Sequence, residues 1–275
     1  MSALPEGGRV HVESVGVGPP LVLLHGFAMH GGLFAPVLPA LAGRARVHVV
    51  DLPGHGWSAP VAPFDMGSIV AAVDAAIGAA TDDATPGATT GGEPLTVLGW
   101  SLGGQIAMRW ALARPGRIAK LVLVATTPSF VTRDGWSPAM APATLARFGD
   151  ELSVAYRLTL QRFLTLQVQG SEEGRATLAA LRARLFERGE PAPEALAATL
   201  AMLTANDLRS DLARIDVPAL VIGGERDALV PVEATEHLAA ALPHGTHVAI
   251  PGAAHAPFLS HRRAFVDAHA AFADG

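Results

Sequence analysis

The chain has 275 residues, of which 50% are hydrophobic, enough to bury the core of one α/β domain carrying an insertion. A formal net charge of −5 and a pI near 6.1 argue against a general affinity for nucleic acid. The absence of cysteine excludes disulfides, thiolate nucleophiles and thiolate metal sites together.

Apolar residues are spread over short segments, so no membrane span is expected. Met1–Arg9 lacks the basic region and apolar stretch of a secretory signal, which makes the cytoplasm the expected location. Lys120 is the only lysine among mostly arginine cations.

Arg9–Ser14 alternates in character and leads through Gly16–Pro20 into the apolar run Leu21–His25, which predicts an opening antiparallel hairpin. Arg46–Leu52 reads as a buried strand ending in Asp51-Leu52-Pro53-Gly54-His55-Gly56, and Ser68–Ala80 reads as a helix. Thr81–Pro94, rich in Thr, Gly, Asp and Pro, is expected to be a surface loop. A strand over Leu95–Gly99, a helix over Gln105–Ala113 and a strand over Ala119–Ala125 follow. From Ser129 to Ser210 only helical periodicity is found; strands resume at Ala219–Gly223 and His247–Pro251, and a helix over Arg262–Phe272 closes the chain.

Alternating strands and helices predict a mostly parallel central sheet flanked by helices. The helical block cannot join that sheet. Residues 129–210 are therefore expected to form a cap inserted late in the sheet, above a core of residues 1–128 and 211–275. Such a cap covers the carboxyl ends of the strands, where α/β proteins place ligands.

Gly99-Trp100-Ser101-Leu102-Gly103-Gly104 lies between a predicted strand and a predicted helix. This is the G-x-S-x-G nucleophile elbow, and with the layout above it predicts an α/β-hydrolase fold. The sharp turn needs glycine two residues before and two after the serine, and it lifts the Ser101 hydroxyl above the sheet. A serine hydroxyl needs a base to take its proton. Of the eleven histidines, His255 is best placed, in the loop Gly252-Ala253-Ala254-His255-Ala256-Pro257-Phe258 after the last strand. His261 is its one competitor, although it sits where the final helix begins. His237, His244, His247 and His269 fall on strands, helices or their flanks and read as surface or packing residues.

The base in turn needs a carboxylate to fix its tautomer. Asp227 follows the strand Ala219–Gly223 and is the expected partner, with Glu225 the other candidate; Asp216 precedes that strand and belongs at the opposite edge. Two N–H donors for the developing oxyanion are expected from Leu102, at the start of the helix, and from Phe27, in the loop His25-Gly26-Phe27. Gly26 permits the close approach, and His25 reads as a structural hydrogen-bonder. No metal or cofactor is required by this chemistry. Dehalogenases and epoxide hydrolases are disfavoured, because they use aspartate where this chain has Ser101.

Further motifs narrow the choice. They are Leu23-Leu24-His25-Gly26, Asp51-Leu52-Pro53-Gly54, Leu98-Gly99-Trp100-Ser101-Leu102-Gly103-Gly104, and Val124-Ala125 with Thr127-Pro128, Phe130, Arg133-Asp134 and Trp136. In the helical block they are Gln161-Arg162-Phe163-Leu164, Leu166-Gln167, Gly170 and Asp207-Leu208-Arg209. Leu229-Val230-Pro231, Ala253-Ala254-His255-Ala256-Pro257-Phe258 and Ser260-His261 complete the set. In these the chain resembles the pimeloyl-(acyl-carrier protein) methyl ester esterases, the BioH proteins, over nearly its whole length.

The resemblance implies hydrolysis of a carboxylic methyl ester. It also implies a substrate pocket lined by Phe27, Trp100, Ser101 and Leu102 and by the cap stretch Phe163, Leu164, Thr165, Leu166 and Gln167. Basic cap residues would dock an acidic acyl carrier protein: Arg162 and Arg175 match family arginines, Arg182 falls on a lysine, and Arg157 adjoins Leu158, one of two lost arginines. Ala179 is the other. Phe27 replaces a tryptophan, and the Thr81–Pro94 loop is longer than usual. Other readings of the same layout are a general short-chain carboxylesterase or perhydrolase without a carrier, and a catalytically silent binder of a small ligand.

Overall fold

The computed structural model describes residues 9–82 and 93–275. Its centre is a seven-stranded sheet built from β1 (Val12–Val15), β2 (Pro20–Leu24), β3 (Arg46–Val50), β4 (Leu95–Trp100), β5 (Ile118–Val124), β6 (Ala219–Gly224) and β7 (Gly245–Ile250). The spatial order is β1-β3-β2-β4-β5-β6-β7, and every pairing is parallel except β1 with β3. β2 and β6 are buried along their whole length, as expected of parallel strands covered on both faces.

The opening hairpin expected from sequence is not formed. β1 runs antiparallel to β3, with Val12 opposite Val50 and Val15 opposite Val47, while β2 lies between β3 and β4. The reason is burial: β1 is half exposed and suits an edge, whereas the apolar run of β2 has to be covered on both faces. The turn between them passes through Gly16 and Gly18, both at positive φ, where a Cβ on Gly16 would come within 2.5 Å of the Ala45 carbonyl oxygen.

Helices α1 (Leu38–Ala42), α2 (Met66–Asp82), α3 (Leu102–Ala113), α7 (Val232–Ala241), α8 (Pro257–Ser260) and α9 (Arg262–Asp274) accompany the sheet. Thr81 still belongs to α2, and positions 83–92 of the loop expected there lie outside the described residues. Between β5 and β6 the chain forms α4 (Pro142–Gln167), α5 (Gly174–Arg184) and α6 (Pro193–Ala205). Within 129–210 the only β contacts among described residues are isolated bridges, Val131 to Met140 and Arg133 to Trp136. α4 is two helices in one, since Ala155 leaves helical geometry at φ −137° and ψ 51°.

One buried ion pair fastens this insert to the sheet. Arg188, after α5, places Nη1 3.3 Å from both carboxylate oxygens of fully buried Asp51 and stacks 4.4 Å over the Trp57 ring. Its other nitrogen, Nη2, donates to Glu13.

Candidate active site

Ser101 stands alone between β4 and α3, at φ 56° and ψ −118°. A non-glycine residue there carries about 1–3 kcal/mol of backbone strain. The neighbours hold it in place: Ser101 N–H donates to the Val124 carbonyl at 2.9 Å, and the Thr126 hydroxyl donates to the Ser101 carbonyl at 2.7 Å. The flanking glycines are steric necessities. A Cβ on Gly99 would lie 2.3 Å from the Gly103 carbonyl oxygen, and one on Gly103 would lie 2.3 Å from that of Leu24.

Three side chains remote in sequence meet above this turn. The Ser101 hydroxyl lies 3.0 Å from His255 Nε2, and His255 Nδ1 lies 2.7 Å from Asp227 Oδ2. The other carboxylate oxygen of Asp227 accepts from the N–H groups of Leu229, at 2.8 Å, and Val230, at 3.0 Å. Both partners are shielded from solvent, His255 at 2% exposure and Asp227 at 6%. In that low-dielectric setting an ion pair formed by proton uptake on the imidazole is felt strongly.

The loops carrying these residues are tied to each other. Arg226 N–H donates to the Ala253 carbonyl at 2.8 Å, Gly252 N–H donates to the Glu225 carboxylate at 2.9 Å, and a Cβ on Gly224 would lie 2.2 Å from the Ala254 carbonyl oxygen. The main chain of His255 is held at both ends: its N–H donates to the Gln167 carbonyl at 3.1 Å, and its carbonyl accepts from the Trp100 indole at 2.7 Å. Glu225 is thus spent on a backbone amide. His261 pairs through Nδ1 with the Ser260 hydroxyl at 2.9 Å, and Asp216 pairs with His244, also at 2.9 Å.

The loop after β2 reaches the same turn. A Cβ on Gly26 would lie 3.2 Å from the Ser101 Cβ and 3.2 Å from the Trp100 ring, so a larger residue would have to push these neighbours aside. Leu102 opens α3, where first-turn N–H groups have no intrahelical acceptor. His25 braces the loop from below: Nδ1 donates to the Gly26 carbonyl at 2.8 Å, and Nε2 accepts from Leu52 N–H at 2.9 Å. That pattern uses the neutral ring. Burial, reinforced by the nearby His55, holds His25 well below the usual histidine range.

A cavity of about 80 Å³ lies over the serine, walled by Phe27, Ser101 and His255 from the sheet side and by Phe148, Phe163 and Leu200 from the insert. The rings of Phe27, Phe148 and Phe163 form a triangle with centroids 5.4–6.0 Å apart. Of the stretch 163–167, Phe163 and Leu166 face the cavity. Leu164 is fully buried in the core, Thr165 turns outward and bonds the Gln161 carbonyl, and Gln167 is buried and meets the site through its main chain. Trp100 is buried against Phe258 and His255 beneath the cavity rather than in its wall.

The sequence reading missed the walls contributed by Phe130, Met140, Thr144, Leu145, Phe148, Leu200, Leu203 and Leu229. Thr144 and Phe148, four residues apart on α4, carry the one readable signal, a helical stripe aimed at the site.

All four arginines singled out from sequence are exposed. Arg157 pairs with Glu190 and stacks over Phe186, and Arg162 approaches Glu151 at 3.8 Å. Arg175 and Arg182 lie on α5 and form no ion pair among the described residues. Among the described residues, no group of three or more histidine, aspartate or glutamate side chains is placed to hold a metal ion, and no helix is long and apolar enough to cross a membrane.

Residues 19–262 match the alpha/beta hydrolase fold family. An esterase from Exiguobacterium antarcticum shares the fold, with a TM-score of 0.83 over 97% of this chain and 96% of that one at 22% identity. A pimeloyl-(acyl-carrier protein) methyl ester esterase of Chromobacterium violaceum is 42% identical over 94% of this chain and 96% of its own length. The protein of the same name from Xanthomonas oryzae pv. oryzae is 44% identical over 92% and 94%. With this identity along almost the full length of both partners, the chain belongs to the pimeloyl-(acyl-carrier protein) methyl ester esterase family of α/β hydrolases, and it is a carboxylic ester hydrolase.

Proposed function

We propose that the protein hydrolyses the methyl ester of a linear acyl chain borne by an acyl carrier protein, the pimeloyl ester named for its relatives, through an acyl-serine intermediate. The observation that carries this reading is the continuous path from the Ser101 hydroxyl through His255 to Asp227. Ser101 Oγ attacks the ester carbonyl as His255 Nε2 takes its proton, and Asp227 offsets the imidazolium charge. The N–H groups of Phe27 and Leu102 receive the oxyanion. Collapse expels methoxide, which leaves as methanol with the proton from His255. Water, deprotonated by the same ring, then attacks the acyl-serine, releasing the carboxylate and restoring Ser101.

Docking of the carrier is assigned to Arg157, Arg162, Arg175 and Arg182. Arg175 and Arg182 are open to an acidic surface, whereas Arg157 and Arg162 would exchange Glu190 and Glu151 for carboxylates of the carrier. Exposed ion pairs contribute only about 0–1 kcal/mol each, so docking requires several at once. The cavity of about 80 Å³ favours one other reading, a short-chain carboxylesterase without a carrier.

Methanol release from the carrier-bound ester and from free dimethyl pimelate separates the two. The carrier reading expects kcat/KM for the carrier-bound ester to fall as added salt shortens the screening length from about 10 Å to about 3 Å, with the free diester unaffected. Equal rates on both substrates at every salt concentration refute the carrier. Ser101→Ala is expected to abolish methanol release from either.

A further inference from the structure

The first half of α4 is a partition between two spaces of unequal size. On one side is the cavity of about 80 Å³ over Ser101; on the other, between α4 and α6, is an apolar groove of about 840 Å³. Phe148 faces the cavity, Gly149 and Leu152 face the groove, and Leu145 and Leu200 face both. The cavity has room for about three water molecules, enough for an ester head and little more. Pockets that bury a whole small-molecule ligand run to about 300–1,000 Å³, a range the groove meets and the cavity does not.

We propose that the groove between α4 and α6 is a second subsite, which holds the unbranched apolar chain attached to the acyl carbon while the ester itself lies over Ser101. The proposal rests on the ester-hydrolase reading and adds to it the place of the chain. Continuity comes first. The two spaces have Leu145 and Leu200 in common in their walls, so they adjoin at these two side chains. A Cβ on Gly149 would lie 3.0 Å from Leu200 Cδ2, so α4 packs against this leucine closely, and a rotamer change of Leu200 would reshape the wall that both spaces share. The break at Ala155 allows the first half of α4 to shift without dragging the second.

The lining of the groove also includes polar groups. The Tyr156 hydroxyl borders it, buried and without a hydrogen-bond partner. Burial raises this phenol to about 12, so it remains a donor at neutral pH, suited to a carbonyl or amide oxygen further along the chain. Beside it Glu190, on the same rim, pairs with Arg157, which joins the groove to the surface assigned to the carrier.

The test uses p-nitrophenyl acetate, butyrate and octanoate with the intact protein and two α6 variants, Ala197→Trp and Ala201→Phe. Both positions line the groove from an exposed helix face, so larger side chains fill it without entering the core. The expected result is a fall of about tenfold or more in the octanoate-to-acetate ratio of kcat/KM, with butyrate between. An unchanged ratio in both variants overturns the proposal, as does an intact protein that turns over acetate and not octanoate. A change of oligomeric state in the variants without a change in the ratio would mark the groove as an interface between copies and equally overturn it. The ester-hydrolase reading fails separately, if the intact protein neither turns over acetate nor is labelled at Ser101 by a fluorophosphonate.

Discussion

Exchanging Asp227 for asparagine tests whether the carboxylate sets the tautomer of His255. One oxygen of Asp227 is fixed by the N–H groups of Leu229 and Val230, at 2.8 and 3.0 Å, so the amide oxygen of an asparagine must take that position. The amide NH₂ is then forced toward His255 Nδ1, where Oδ2 now sits at 2.7 Å. Two donors cannot face each other there. The ring gives up its Nδ1 proton, carries it on Nε2 instead, and loses the lone pair that receives the Ser101 proton. A change of tautomer with intact geometry costs about 10⁴ in kcat, or about 5 kcal/mol of barrier. Stopped-time assays with p-nitrophenyl butyrate, alongside near-UV circular dichroism to verify packing, measure this directly. A folded Asp227→Asn protein within about tenfold of the native kcat would refute the reasoning.

Four further outcomes follow from the same geometry. Ser101→Ala is expected to lower kcat by about 10⁴–10⁶, read from ester turnover. Ser101→Gly, which relieves the positive φ, should melt higher than Ser101→Ala by the equivalent of about 1 kcal/mol in thermal unfolding. Arg188→Ala leaves the fully buried Asp51 without its cation and is expected to cost about 3 kcal/mol, measured by urea unfolding. Burial holds His55 down to about 4 from 6.5, so the unfolded chain binds the extra proton between those values and stability falls as pH drops through that window. Between about pH 7 and about pH 5 the loss is on the order of 2 kcal/mol, and His55→Gln should flatten the slope of unfolding free energy against pH.

The site could be read from sequence wherever chemistry demands a residue type at a fixed place in the fold. Ser101 announces itself because it sits between Gly99 and Gly103, where steric limits leave no other residue than glycine, and Gly26 is the small residue where the loop after β2 runs close to it. Asp227 and His255 follow from their places after the sixth and seventh strands. Pairing between strands is a different kind of question. The short link from β1 to β2 suggested a hairpin, but which strand takes the edge is decided by burial over the whole sheet. The walls of the cavity were the least legible part. Phe148 and Leu200 meet only after α4 and α6 have folded back on each other, and the break at Ala155 has no proline or glycine to mark it. Short helices such as α1 and α8 were also missed, since five or four residues carry no measurable period.

The carbonyl of Gln167 that receives the His255 N–H belongs to the last residue of α4, and so the helical insert supplies a footing for the loop that carries the imidazole. Transplanting this whole segment from a homologue would therefore exchange more than a specificity filter. A foreign lid whose final turn presents no acceptor at that point would leave a buried amide unsatisfied and slacken the imidazole, lowering turnover on every ester alike. The insert and the loop that carries His255 are joined here through main-chain hydrogen bonds, His255 N–H to the Gln167 carbonyl at 3.1 Å and Glu172 N–H to the Gly252 carbonyl at 3.2 Å, so side-chain changes along the helices disturb the imidazole less than replacement of the helices themselves.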